Sequence, residues 1–104
     1  MIPWFKVKID GRVFHIRSEP GGCGIRWGFR CYHGNSTVHR FLWEFANNKS
    51  VETIKIEIMK EFKISEALFD ESLAETNVIL KNLGLITRNL EDSTYVWVKA
   101  RRRE

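Results

Sequence analysis

The sequence contains no long hydrophobic run and few cysteines. A membrane-spanning helix needs about 20 consecutive apolar residues, and the start MIPWFKVKID has no basic segment followed by an apolar one. We therefore expect a cytoplasmic protein without a membrane segment. Two cysteines, Cys23 and Cys31, are too few for a disulfide framework and do not form a CxxC pair. We expect both to be free thiols.

Motifs of catalysis and of cofactor binding are also absent. The chain has no HExxH, GxxxxGK, GxGxxG or Ser/His/Asp arrangement, and PGGCG lacks the lysine and the following helix of a phosphate loop. Cys23, Cys31, His33 and His39 could be considered as zinc ligands, but their spacing, C-x7-C-x-H-x5-H, matches no compact zinc site. We predict a protein that is not an enzyme and that needs neither a cofactor nor a metal.

What is present is the composition of one globular domain. The 104 residues are 43% apolar and 29% charged, which suits a single core spanning residues 1–104. The charge is uneven, because the first 40 residues hold seven Lys and Arg against two Asp and Glu. We expect an acidic partner, if there is one, to meet this first part.

The first 33 residues read as strands. WFKVKID and RVFHIRS alternate apolar and polar residues, and Asp10-Gly11 between them is the dipeptide of a two-residue hairpin turn. Pro20, Gly21, Gly22 and Gly24 then predict a flexible connection. IRWGFRCYH, residues 25–33, predicts a third strand with Ile25, Trp27, Phe29, Cys31 and His33 on one face.

Three helices follow, each with a capping residue before it. Asn35, Ser36 or Thr37 can cap the first, Ser50 the second, and Ser65 a third that runs from about residue 66 to 83. After Gly84, LITRN and TYVWVKA predict a final hairpin or a strand added to the edge of the sheet. The predicted fold class is α+β and winged-helix-like, with a three-stranded antiparallel sheet followed by three helices. The core would span residues 5–86, and the C-terminal strand and basic tail residues 87–104.

The order of these segments resembles the PqqD-like family, whose members are also called RiPP recognition elements. The likeness covers residues 5–86 and rests on four stretches: NSTVHRFLWEF at 35–45, KSVETI at 49–54, KEFKIS at 60–65 and LKNLGLI at 80–86. The resemblance implies a non-catalytic domain that holds the leader region of a ribosomally made precursor peptide and presents it to a modifying enzyme. The leader would add as a strand beside the third strand and place its apolar side chains against the third helix.

The resemblance also implies which residues bind the peptide. On the strand they are Arg26, Trp27, Phe29, Arg30, Cys31 and Tyr32, and on the helix they are Asp70, Leu73, Asn77, Leu80 and Lys81. Asn77 stands where the family usually has an apolar residue, so it either lines the groove as a hydrogen-bonding group or the match shifts by one turn. Open strand edges could also pair two copies into a homodimer.

Two features of the predicted sheet, an aromatic pair and a basic strand face, can be interpreted either structurally or functionally. Trp27 and Phe29 are either core residues or the floor of a groove, and the basic strand face is either simply solvated or an electrostatic strip. The competing function is a winged-helix DNA-binding regulator. The third helix opens with Glu66, Asp70, Glu71 and Glu75, and their repulsion of phosphates disfavours nucleic acid as the partner.

Overall fold

The computed structural model describes residues 3–98, which form an antiparallel sheet covered on one face by helices. In chain order the elements are β1 (Trp4–Ile9), β2 (Arg12–Glu19), β3 (Gly22–Trp27), β4 (Arg30–Asn35), α1 (Ser36–Ala46), α2 (Val51–Phe62), α3 (Glu66–Asn82), a 3-10 turn (Leu90–Asp92) and β5 (Tyr95–Trp97). The strands lie in the order β4-β3-β2-β1-β5. The predicted basic tail, from residue 99 on, lies outside the described residues.

The predicted α+β class is correct, but the predicted three-stranded, winged-helix-like sheet is wrong, since the described residues form five strands. The third predicted strand is in fact the β3–β4 hairpin. Gly28, with a φ of 62°, and Phe29 form its turn, and Trp27 pairs with Arg30 across it. The predicted connection at residues 20–24 is also wrong in part, because β3 already begins at Gly22.

The two-residue turn reverses which residues share a face. Ile25 pairs with Tyr32, and Arg26 pairs with Cys31. Directly paired residues of an antiparallel ladder lie on the same face. Tyr32 therefore points to the helices with Ile25, whereas Cys31 lies on the opposite face, contrary to the predicted alternation.

The first predicted hairpin is confirmed. Asp10 and Gly11 have φ values of 49° and 88°, as a turn with two left-handed central residues requires. β5 takes one of the two predicted forms of the C-terminal segment, an edge strand, and pairs with β1. The Asp10 carboxylate accepts a hydrogen bond from the Thr94 amide at 2.9 Å, which ties the first turn to the entry of β5.

The predicted helix caps are confirmed as well. The side chains of Asn35, Ser50 and Ser65 accept hydrogen bonds from the amide three residues further on at 2.9, 3.2 and 3.1 Å. Each cap satisfies an amide that has no partner inside its helix. Asn35 is at once the last residue of β4 and the cap of α1, so no loop separates the strand from the helix.

We call the face of the sheet that meets the helices the inner face. Its buried side chains are Phe5, Val7, Ile9, Phe14, Ile16, Cys23, Ile25 and, on β5, Tyr95. α1 lies across this face and packs Phe41 and Phe45 toward Phe69 of α3 and Tyr95 of β5, with ring centroids 5.6 and 5.9 Å apart. The aromatic first helix therefore joins the sheet to the other helices.

Among residues 3–98, no helix is both long and apolar enough to cross a membrane.

Candidate functional site

The edge of the sheet at β4 is the first part of the candidate site. β3 pairs with β2 on one side and with β4 on the other, so it has no free edge. β4 pairs with β3 alone among the described strands, which leaves its outward amide and carbonyl groups open. The open edge expected for the predicted strand at residues 25–33 therefore belongs to β4 and not to β3, and β4 directly precedes α1.

Tyr32 and Gly34 face the helices from this edge strand. Tyr32 is half-buried and packs against the core. A Cβ atom on Gly34 would lie 2.8 Å from Cγ1 of Val38 and 3.3 Å from Sγ of Cys23, so a glycine allows α1 to approach β4 this closely. Tyr32 is thus the large side chain that borders both the open edge and the core.

Trp27 closes the inner face at the turn end of β3. Its indole lies 5.9 Å from the Phe14 ring, and the Arg12 guanidinium lies 4.5 Å above it. Nη1 of Arg12 also donates to the carbonyl oxygens of Gly84 and Leu85, at 2.8 and 3.3 Å. Through Arg12, the predicted binding residue Trp27 is held near the end of α3.

The other predicted strand residues are more dispersed. Phe29 is fully exposed at the tip of the hairpin. Arg30 and Arg26 are both exposed, but their pairing partners, Trp27 and Cys31, lie on opposite faces of the sheet. Arg30 is therefore on the same face as Tyr32, and Arg26 is on the opposite face.

The predicted helix residues of α3 do not face β4. Asn77 is buried; its Oδ1 accepts a hydrogen bond from the Leu90 amide at 2.8 Å, and its Nδ2 donates to Glu91 at 2.9 Å. Leu73 and Leu80 are core residues. Asn77 therefore holds the 3-10 turn, and this flank of α3 faces the chain that leads to β5, at the sheet edge opposite β4.

Asp70 and Lys81 border the same flank. Asp70 lies 3.1 Å from Nζ of Lys55, and Lys81 is exposed. With Ala74, Val78, Asn89 and others they line an open cavity of about 380 Å³ between α3 and the 3-10 turn. Leu73 and Leu80 belong to the core against which Trp27 and Tyr32 also pack, whereas Asp70, Asn77 and Lys81 border the cavity beside the 3-10 turn.

The opposite side of α3 carries exposed apolar residues that were not among the predicted binding residues. Leu68 and Ile79 are 44% and 42% exposed, and Ser72 and Leu83 beside them are half-buried. At 3.6 residues per turn these four residues lie opposite Asn77. We call them the apolar flank of α3. The sequence indicated this flank because the apolar stripe of α3 extends beyond its buried residues to Leu68 and Ile79.

The four residues considered as zinc ligands are spread through the structure. Cys23 is buried, and burial raises the pKa of its thiol to about 11. Cys31 and His33 are exposed on the outer face, and Nδ1 of His33 lies 3.2 Å from Glu19. The His39 ring is buried and stacks over Phe5 at 6.4 Å. Within residues 3–98, no three potential metal ligands are grouped.

Comparison of the chain with protein-family models, with curated proteins and with solved structures finds no match. The PqqD-like resemblance therefore stays a prediction from the sequence.

Proposed function

We propose that this protein binds the leader region of a ribosomally made precursor peptide and presents it to a modifying enzyme. The leader adds as a strand along β4 and packs its apolar side chains between Tyr32 and the apolar flank of α3. The observation that carries this proposal is the open edge of β4 beside a half-buried aromatic side chain. Peptide recognition by strand addition uses an edge of this kind for register and side-chain pockets for specificity.

The apolar flank of α3 supplies the second wall. The flank around Asn77 is already taken by residues 89–91, on the side of β5. The flank with Leu68 and Ile79 is turned away from that segment and exposes apolar surface. Exposed apolar surface on α3, together with the unpaired edge of β4, favours an extended peptide with apolar residues at alternate positions.

Trp27 and Arg30 shape the end of this groove. They pair across the hairpin turn and belong to the inner face. Arg12 is held by the carbonyl groups of Gly84 and Leu85, whereas the Arg30 side chain is exposed. An acidic leader residue near the hairpin would therefore be attracted to Arg30, while Trp27 offers an apolar contact.

Duplex DNA is the weaker alternative. Glu71 and Glu75 on α3 are exposed, and Asp70 and Glu66 share Lys55 as a partner. A helix that enters the major groove lies close to phosphates on both sides, so these carboxylates would be repelled. The acidic first half of α3 thus favours the peptide over the DNA groove.

The test is a titration of the protein with leader peptides encoded beside its gene. Ile79→Glu should weaken binding about 30-fold or more, the size of a hot-spot loss of about 2 kcal/mol. Val78→Glu is the matched control, because Val78 is also exposed and apolar but lies on the side of the 380 Å³ cavity. Both positions are on the surface, so both variants should fold.

Equal loss in the two variants, or no saturable peptide binding at all, would refute the proposed groove. Leu80 is also a predicted binding residue, but it is buried in the core, so a charged substitution there would test folding and not binding. A homodimer formed through β4 would occupy the same edge. Sedimentation with and without peptide separates these cases, since a dimer through β4 should dissociate when the peptide binds.

A further inference from the structure

The face of the sheet opposite the helices, which we call the outer face, is not covered by any described residue range. Its side chains alternate with the buried ones and are exposed or half-buried. On β1 to β4 they include Trp4, Lys6, Lys8, Val13, His15, Arg17, Glu19, Arg26, Cys31 and His33, and on β5 the exposed Val96, which pairs with Lys8. The proposed peptide groove uses the inner face and the β4 edge, so it does not occupy this surface.

The charges on the outer face are arranged in rows across the strands. Lys6 pairs with His15, and His15 pairs with Arg26. Arg17 lies in the next row, and Lys8 lies two residues beyond Lys6 on the same strand. Four lysine and arginine side chains therefore share one flat surface of three strands.

Little negative charge opposes them. Among the described residues of the outer face, Glu19 is the only one with a carboxylate. Its Oε1 lies 3.2 Å from Nδ1 of His33. Burial, then Arg26 and Lys6, lower the pKa of His15. That direction fits a positive local potential, which attracts a polyanion.

The face also has a recess and an aromatic side chain. A cavity of about 600 Å³ opens beside Gly24, which has no side chain in the row of Trp4, Arg17 and His33. The Glu19 carboxylate borders this cavity and lies close to Gly24, since a Cβ atom there would be 2.7 Å from Oε2 of Glu19. Trp4 borders the cavity and is 46% exposed. An open indole beside arginines provides a surface on which a planar ring can stack.

We propose that the outer face binds single-stranded nucleic acid, with phosphates on the four cations and a base stacked on Trp4. A single strand offers negative charge and unstacked planar rings together, and an open antiparallel sheet is a known type of platform for it. An acidic protein surface would match the cations and could also pack on Trp4, and competition by poly-glutamate distinguishes such a partner from a single strand. A duplex keeps its bases stacked, so its bases could not reach the indole.

The test measures anisotropy of a fluorescein-labelled 15-nucleotide oligo-dT with the full chain between 50 and 200 mM salt. If four phosphates are bound, the rise in salt from 50 to 200 mM should weaken binding about 50-fold, because the slope of log K against log salt is about −0.7 per contact. The double variant Lys6→Glu/Arg26→Glu should bind more weakly and should lose only about sevenfold over the same range, as two contacts would. Trp4→Ala should weaken binding at every salt concentration without changing the salt slope.

The control is Lys60→Glu/Arg88→Glu, which makes the same change in net charge at exposed positions on the helical side. Residues 99–104 are kept in every variant, so the basic tail contributes equally throughout. Equal effects of the two double variants would overturn the proposal. Competition by poly-glutamate or by duplex DNA as strong as competition by unlabelled oligo-dT would also overturn it, in favour of a general polyanion surface.

Discussion

His39 is a buried residue whose protonation the fold opposes. Burial lowers the pKa of its imidazole, and a hydrogen bond with the backbone of Gly22 only partly counteracts this. Nε2 has no partner among the described residues. The folded chain therefore holds the ring neutral at a pH where the unfolded chain, with a pKa near 6.5, already binds the proton.

We expect the free energy of unfolding to fall as the pH drops below about 6.5 toward the lower pKa of the folded state. Urea unfolding at about pH 7.5 and about pH 5 should detect the change, and His39→Gln should reduce it. The pKa of His15 is also lowered, so His15→Gln should remove a separate part of the same pH dependence. A His39→Gln protein with unaltered pH dependence would contradict this account.

The buried side chain of Asn77 holds the 3-10 turn against α3. Replacing it with Ala leaves the Leu90 amide buried without its acceptor. Such a loss costs about 1 to 3 kcal/mol. We expect Asn77→Ala to lower the free energy of unfolding by that amount, which denaturant titration measures, while the folded protein binds the leader peptide with unchanged affinity. A selective loss of peptide affinity would instead return Asn77 to the binding groove.

At the scale of elements, a network of ion pairs joins α1 to α2. Glu44 is buried on α1, and it pairs with Arg40 and, at 2.7 Å, with Nζ of Lys49. Arg40 also donates two hydrogen bonds to Glu61 of α2, at 2.8 and 3.0 Å. Burial alone would raise the pKa of Glu44, but hydrogen bonds from Lys49 and Arg40 lower it below its ordinary value.

Glu44→Gln should therefore destabilise the protein by about 1 to 3 kcal/mol, since it leaves two cations without their shared buried partner. Glu57→Gln is the control, because Glu57 binds the same Lys49 from an exposed position. Its cost should stay below about 1 kcal/mol. Chemical unfolding of the two variants compares them directly, and equal costs would show that burial of Glu44 is unimportant.

At the scale of the whole molecule, one continuous core connects the sheet with all three helices. We expect a single unfolding transition, because no part of the described chain has a core of its own. Tryptophan fluorescence and far-ultraviolet circular dichroism should give the same midpoint. Separate midpoints would mean that the sheet persists after the helices have melted.

Across the whole molecule, the sequence predicts the local elements better than the contacts between them. Turn residues and caps act through neighbours a few positions away, so Asp10-Gly11, Asn35, Ser50 and Ser65 predicted their elements. The pattern at residues 25–33 alternates equally well for one strand and for a hairpin, and it is the turn at Gly28 that decides which side chains meet the helices. The faces of Arg30, Cys31, Tyr32 and His33 were therefore predicted wrongly.

The predicted groove residues on α3 show a second limit. Asn77 finds its partners 13 and 14 residues further along the chain. Helical periodicity marks a residue as facing inward, but it does not say which segment covers it. The choice between the two flanks of α3 depended on where residues 85–92 return to the sheet, which is a tertiary property.

The direct passage from β4 into α1 has a mechanical consequence. A loop between two elements absorbs small displacements, but Asn35 belongs to both the strand and the helix cap, so this joint has no slack. A force applied along β4 would reach α1 at once, and the bonds from Arg40 to Glu61 would pass it on to α2. We therefore expect β4, α1 and α2 to move together as one rigid unit.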